Sequence, residues 1–174
     1  MVMRRGKPLL LPAQPRFIWS SLVVALILGI LLPTLVPNRA VWVPDVLSVV
    51  LVFWMLHQPD RVGLGMAFAL GLIRDVHCGS VLGEQALAYT LLGFFALQMR
   101  RRLEWFGLWE QAVQVFPLFL LGHGVVLILE MAISEKIPNG SMLLAPVLEA
   151  MLWPVVTLLL LFPQTQSADP DGTL

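Results

Sequence analysis

Residues Phe17 to Val36 form a run of 20 without a single charged side chain (FIWSSLVVALILGILLPTLV). Coiled as a helix, such a run reaches about 30 Å, the thickness of a bilayer's hydrocarbon core. Hydrocarbon offers no partners to the backbone, so a single spanning segment must satisfy its N–H and C=O groups internally, as a helix does. The rest of the chain points the same way. Of its 174 residues, 58% are apolar and 13% are charged, and the mean hydropathy is +0.84. A soluble domain carries about 25% charged residues, so this chain lacks the charge to cover a water-facing surface. A soluble enzyme and a disordered chain are both set aside, and an all-α polytopic membrane protein is expected. Eleven Lys and Arg balance eleven Asp and Glu, which gives no case for a nucleic-acid partner. The lone Cys78 allows neither an intramolecular disulfide nor a multi-cysteine metal site.

Four basic residues, Arg4, Arg5, Lys7 and Arg16, precede the first run. The run is too long for a signal-peptide core and no small-x-small cleavage site follows. It is therefore read as an uncleaved first helix, with Trp19 as an interfacial anchor. Further apolar runs follow at Val43–His57, Val62–Ile73, Gly83–Met99, Trp109–Ile133 and Ser141–Phe162. Pro44 and Asp45 open the second in its first turn, where a missing N–H and a negative charge both suit a helix start. Arg74-Asp75 close the third, and Arg100-Arg101-Arg102 close the fourth, with Arg100 spaced to pair with Glu104. Pro117 lies inside the fifth and Pro138-Asn139-Gly140 form a turn before the sixth. This divides the chain into a basic segment 1–16, a six-helix transmembrane domain 17–162 and a polar tail 163–174. Six crossings place both termini on one side. That side holds eight Lys and Arg, against Arg39, Arg74 and Lys136 on the other, so positive-inside logic puts the termini in the cytoplasm.

Two patterns could carry more than topology. Gly63, Ala67, Gly71 and Asp75 recur every four residues, making one helix stripe of small residues that ends in a carboxylate. Such stripes let two helix backbones approach closely, within the bundle or against a partner. Asp75 is followed by His77, Cys78, Gly79 and Ser80, then Gly83-Glu84. This is either a polar partner site or a helix end and turn in which Asp75 caps a loop and His77 faces water. The second pattern is ionisable residues inside later spans. His123 and Glu130 are seven apart and share a helix face, and Glu149 lies in the sixth span. A carboxylate facing lipid at mid-depth costs about 2.5–3.5 kcal/mol, so each should face the interior, a cavity or the membrane boundary. Nothing argues for catalysis: the chain has no phosphate loop, nucleophile elbow or zinc-protease helix, and no metal site or cofactor is expected.

The middle of the chain resembles the rod shape-determining MreD family. The likeness is carried by Pro44-Asp45, Val52-Phe53-Trp54, His57-Gln58-Pro59 and Gly71-Leu72-Ile73-Arg74-Asp75-Val76-His77. It continues through Leu82-Gly83 and Ala86-Leu87-Ala88-Tyr89. Glu84 departs from the family, where a neutral residue is more usual. The resemblance implies a non-enzymatic part of the cell-elongation machinery in the bacterial inner membrane. It implies MreC as the direct partner, with MreB, RodA and RodA's partner transpeptidase in a wider complex that positions peptidoglycan synthesis. It also implies a bundle like the substrate-binding subunits of energy-coupling-factor transporters. The matching positions Pro44, Asp45, Gly71, Asp75, Gly79, Gly83 and Ala86, together with Gly63 and Ala67 of the small-residue stripe, are expected to form a partner-binding or structural motif. His123, Glu130 and Glu149 are expected as interior polar residues.

A rival reading uses the same helices as a small-molecule-binding transport subunit, with Trp54, Tyr89, His123, Glu130, Glu149 and Trp153 available for its cavity. The positions of Asp75, Glu130 and Glu149 discriminate between the two. Clustering in a cavity favours a ligand, and dispersal near the membrane boundary favours a scaffold.

Overall fold

A computed structural model describes residues 14–35, 43–103, 105–134 and 144–166. They form six helices and, among the described residues, no strand: α1 (Pro15–Leu35), α2 (Val46–His57), α3 (Leu64–Cys78), α4 (Glu84–Leu103), α5 (Leu108–Ser134) and α6 (Leu144–Gln166). The basic N-terminal segment through residue 13, Arg39, Glu104, Lys136 and the 138–140 turn lie outside the described residues.

The shortest helix organises the bundle. All ten residues from Leu47 to Leu56 in α2 are buried, as expected of a helix that is apolar all round. It packs against α1, α4 and α6, while α3–α4, α4–α5 and α5–α6 pack as neighbours. Its 12 residues reach only about 18 Å, less than a bilayer core. Its side chains meet other helices rather than lipid, so its length need not match that thickness.

The outer helices are half-lined. α1 buries Ile18, Leu22, Ala25 and Gly29, a stripe at spacings of four and three that faces the bundle. Its other face exposes Trp19, Val23, Val24, Ile27, Leu28 and Leu31. α6 likewise exposes Met151, Val155, Leu158 and Leu159 while burying Glu149 and Trp153. Exposed apolar faces of this extent are unusual on a soluble domain and normal against lipid.

The observed helices differ from the expected ones in their bounds. Among the described residues α1, α5 and α6 are long and apolar enough to cross a membrane on their own. α3, with 15 residues, is too short, and α4 carries Arg100–Arg102 inside it as helical residues. α3 runs five residues past Ile73. α2 begins after Asp45 rather than at Val43, because Asp45 is its N-cap and accepts a bond from Leu47 N–H at 3.1 Å. α6 continues to Gln166, four residues into the segment expected to be tail. Pro117 does not break α5.

Candidate functional site

The α3–α4 hairpin is built around Asp75. α4 starts at Glu84, and its first amides have no helical partner. Its N-cap is Gly83, which has no side chain to supply one. Asp75, fully buried near the end of α3, supplies it from a distance. Its Oδ2 accepts from Gly83 N–H at 2.8 Å and Ala86 N–H at 3.3 Å. Its Oδ1 accepts from Gln85 N–H at 2.7 Å and the Ser80 hydroxyl at 3.1 Å. A carboxylate at the positive end of a helix dipole adds electrostatic stabilisation.

The glycines make the approach possible. A Cβ on Gly71 would fall 2.6 Å from Ala86 N and 2.8 Å from Gln85 C, so α3 touches the first turn of α4 backbone to backbone. Gly79 ends α3 with φ +64° and Gly83 starts α4 with φ +103°, conformations that L side chains rarely adopt. Of the small-residue stripe, Ala67, Gly71 and Asp75 are buried within the protein, and Gly63 is the N-cap of α3. Its face is occupied by α4 within the bundle. His77 and Cys78 are exposed.

The second cluster surrounds Asp45 and joins five helices. Its Oδ1 lies 4.0 Å from Arg74 Nη2 on α3, and its Oδ2 accepts the Tyr89 hydroxyl of α4. Its backbone N–H donates to Glu149 Oε1 of α6 at 2.9 Å, and its carbonyl accepts the Ser48 hydroxyl at 2.7 Å. Glu149 Oε1 also lies 3.4 Å from His123 Nε2 of α5. His123 Nδ1 faces the Phe119 carbonyl at 3.2 Å. A carbonyl only accepts, so Nδ1 carries hydrogen, and the Nε2–Oε1 contact is attractive when a proton lies between them.

Arg74 and Tyr89 belong to this cluster, although the hydropathy pattern sets Arg74 among the loop charges. Its guanidinium rests against α1, where a Cβ on Gly29 would lie 2.9 Å from Nη1. Arg74 sits three residues after Gly71, hence on the same side of α3, which is the signal that could have placed it indoors.

Asp45, Arg74, Tyr89, His123, Glu130 and Glu149 line a cavity of about 180 Å³, together with Gln85 and Ser48. Its apolar wall includes Ala88, Leu92 and Val126. Of the three carboxylates singled out in sequence, Glu130 and Glu149 meet at this cavity, whereas Asp75 is engaged in the hairpin. Trp54 and Trp153 are core residues instead. The Trp54 indole N–H donates to the Ser21 hydroxyl at 2.8 Å, and Trp153 packs beside Phe53 and Phe119.

A family profile described as rod shape-determining protein MreD matches residues 13–162. A curated relative of the same description from Haemophilus influenzae is 28% identical over 117 residues, covering 67% of this chain and 72% of the relative. No solved structure matches the chain.

Proposed function

The chain belongs to the rod shape-determining MreD family, and from that premise we propose that it is a non-catalytic inner-membrane scaffold of the cell-elongation machinery. Family membership carries a role in rod shape determination. The finer reading is that the bundle binds MreC directly and, through a wider complex with MreB, RodA and its partner transpeptidase, positions peptidoglycan synthesis. All six helices cross the bilayer, with both termini in the cytoplasm.

The observation that carries this reading is the profile match over nearly the whole helical region. The architecture supports it: the chemistry-bearing motif is used to hold α3 against α4, which is what a rigid docking platform requires. The motif face itself is covered by α4, so the partner is assigned to an outward face.

Two measurements test the proposal in the source bacterium. Depletion of the protein should turn rods into rounded cells, and MreC should co-purify with it from solubilised membranes. Rods that keep their width and length after depletion would contradict the cellular role. Rounded cells without MreC recovery would contradict only the direct contact.

A further inference from the structure

The gap between α1 and α3 has a shape and a charge of its own. α1 packs on α2 and barely touches α3, which leaves a groove of about 250 Å³ between them. Pro15, Ile18, Trp19 and Leu22 line it from α1, at the spacings of three and four that put residues on one helix face. Arg61 and Val62, just before α3, and Met66 in its first turn line the other side. Ile18, Leu22 and Val62 are buried and form the floor. Trp19, 54% exposed, and Arg61, also exposed, form the rims.

The groove runs from a polar end to an apolar one. α1 and α3 both start at the Arg61 end, and the positive ends of their dipoles add to its charge. Leu22 stands seven residues beyond Pro15 on α1, which is about 10 Å deeper. Spread over that length, about 250 Å³ makes a slot about 5 Å across, wide enough for one extended hydrocarbon chain and too narrow for a helix about 10–12 Å wide. The lining also chooses the charge of the head. Its polar side-chain groups are the Arg61 guanidinium and the Trp19 indole N–H, and both donate. No carboxylate lines the groove, and among the described residues none pairs with Arg61. Asp60, next in the chain, is exposed and is not part of the lining. Residues 1–13 carry Arg4, Arg5 and Lys7 and no Asp or Glu, so they bring no counter-charge. A molecule with an anionic head and an apolar tail meets complementary groups at both ends, whereas a free phosphate ion would leave the apolar slot empty.

We propose that this groove holds one anionic phospholipid, with its phosphate against Arg61 and Trp19 and one acyl chain along Ile18, Leu22 and Met66. The proposed topology, which puts Pro15 at the cytoplasmic boundary, makes this a lipid of the inner leaflet. The contact itself depends neither on that topology nor on the scaffold role, which MreC recovery tests separately. A zwitterionic head brings an ammonium group that opposes Arg61, so it binds about tenfold more weakly.

The test is native mass spectrometry of the delipidated full-length protein, titrated with phosphatidylglycerol or phosphatidylcholine of matched chains. The readout is the concentration at which half the protein carries one lipid. Phosphatidylglycerol should reach that point at about tenfold lower concentration than phosphatidylcholine. Arg61→Gln, at an exposed position, should bind both lipids alike. Arg101→Gln, exposed on α4 and outside the groove, should keep the wild-type preference. Met66→Trp, at a half-buried position, should fill the slot and weaken both lipids; should it not fold, the two arginine variants decide. Equal half-points in the wild type, or a preference that survives in Arg61→Gln, would overturn the proposal. So would the same loss in Arg101→Gln, which marks general attraction to charge, or removal of the lipid by sodium phosphate, which marks a free-anion site. A protein chain that stays bound and blocks the phosphatidylglycerol adduct would overturn it as well.

Discussion

Asp75 accepts three backbone amides at the start of α4. Each buried amide left without an acceptor costs about 1–3 kcal/mol. Asp75→Ala should therefore lower stability by roughly 3 kcal/mol or more, and Asp75→Asn by less, since one carbonyl oxygen remains. Thermal unfolding in nanodiscs would show the order wild type, Asn, Ala; an Ala midpoint equal to wild type would contradict the capping role. Gly29 offers a separate case. The Arg74 guanidinium comes to rest against it, so Gly29→Leu should displace Arg74 from Asp45 and reduce the amount of folded protein in membranes. Val76→Ala, at a position 71% exposed, should leave that amount unchanged in the same fractionation and immunoblot assay. Both glutamates of the cavity were visible in the sequence, because a carboxylate in an apolar span must turn inward. Arg74 was not, because its partner stands 29 residues earlier in the chain and a hydropathy pattern reads any charge as the end of a span.

The α3–α4 hairpin depends on two residues with left-handed backbone. Gly79→Val places a β-branched side chain at φ +64°, which costs roughly 1–2 kcal/mol. Space is not the issue, since nothing lies within 4 Å of the added Cβ. Gly71→Leu fails for the opposite reason, a collision with the backbone of Gln85 and Ala86. Gly79→Val should yield a folded protein with a lowered unfolding midpoint, and Gly71→Leu a protein cleared from the membrane. Equal behaviour of the two would argue against this division between strain and collision. The Gly71-x-x-x-Asp75 pattern and the later glycines were legible as a unit in sequence. Their purpose was not, because spacing gives the face of a helix but not the element that covers it. Helix ends shifted for related reasons: Asp45 ends up as a cap before α2 rather than in its first turn, and α3 persists past Arg74, which faces Asp45, and Asp75, which takes up the first amides of α4.

At the scale of the molecule, the short α2 is the part that hydropathy and length describe least well. It qualifies as apolar but not as a lone span, and its surroundings of α1, α4 and α6 explain how a 12-residue helix can serve in a bilayer. The proposed six crossings put the α3–α4 turn on the outer face of the membrane and Arg100–Arg102 on the cytoplasmic face. The protein carries its own reporter of that arrangement. Cys78 is the only cysteine, it is exposed, and it sits one residue before the Gly79 turn. A membrane-impermeant maleimide applied to intact spheroplasts, with Cys78→Ser as the blank, should label the wild-type protein before lysis. A cysteine moved to Gly107 in the Cys78→Ser background should label only after lysis. Labelling of Cys78 only after the membrane is broken, with Gly107→Cys reactive from outside, would contradict the six-crossing account.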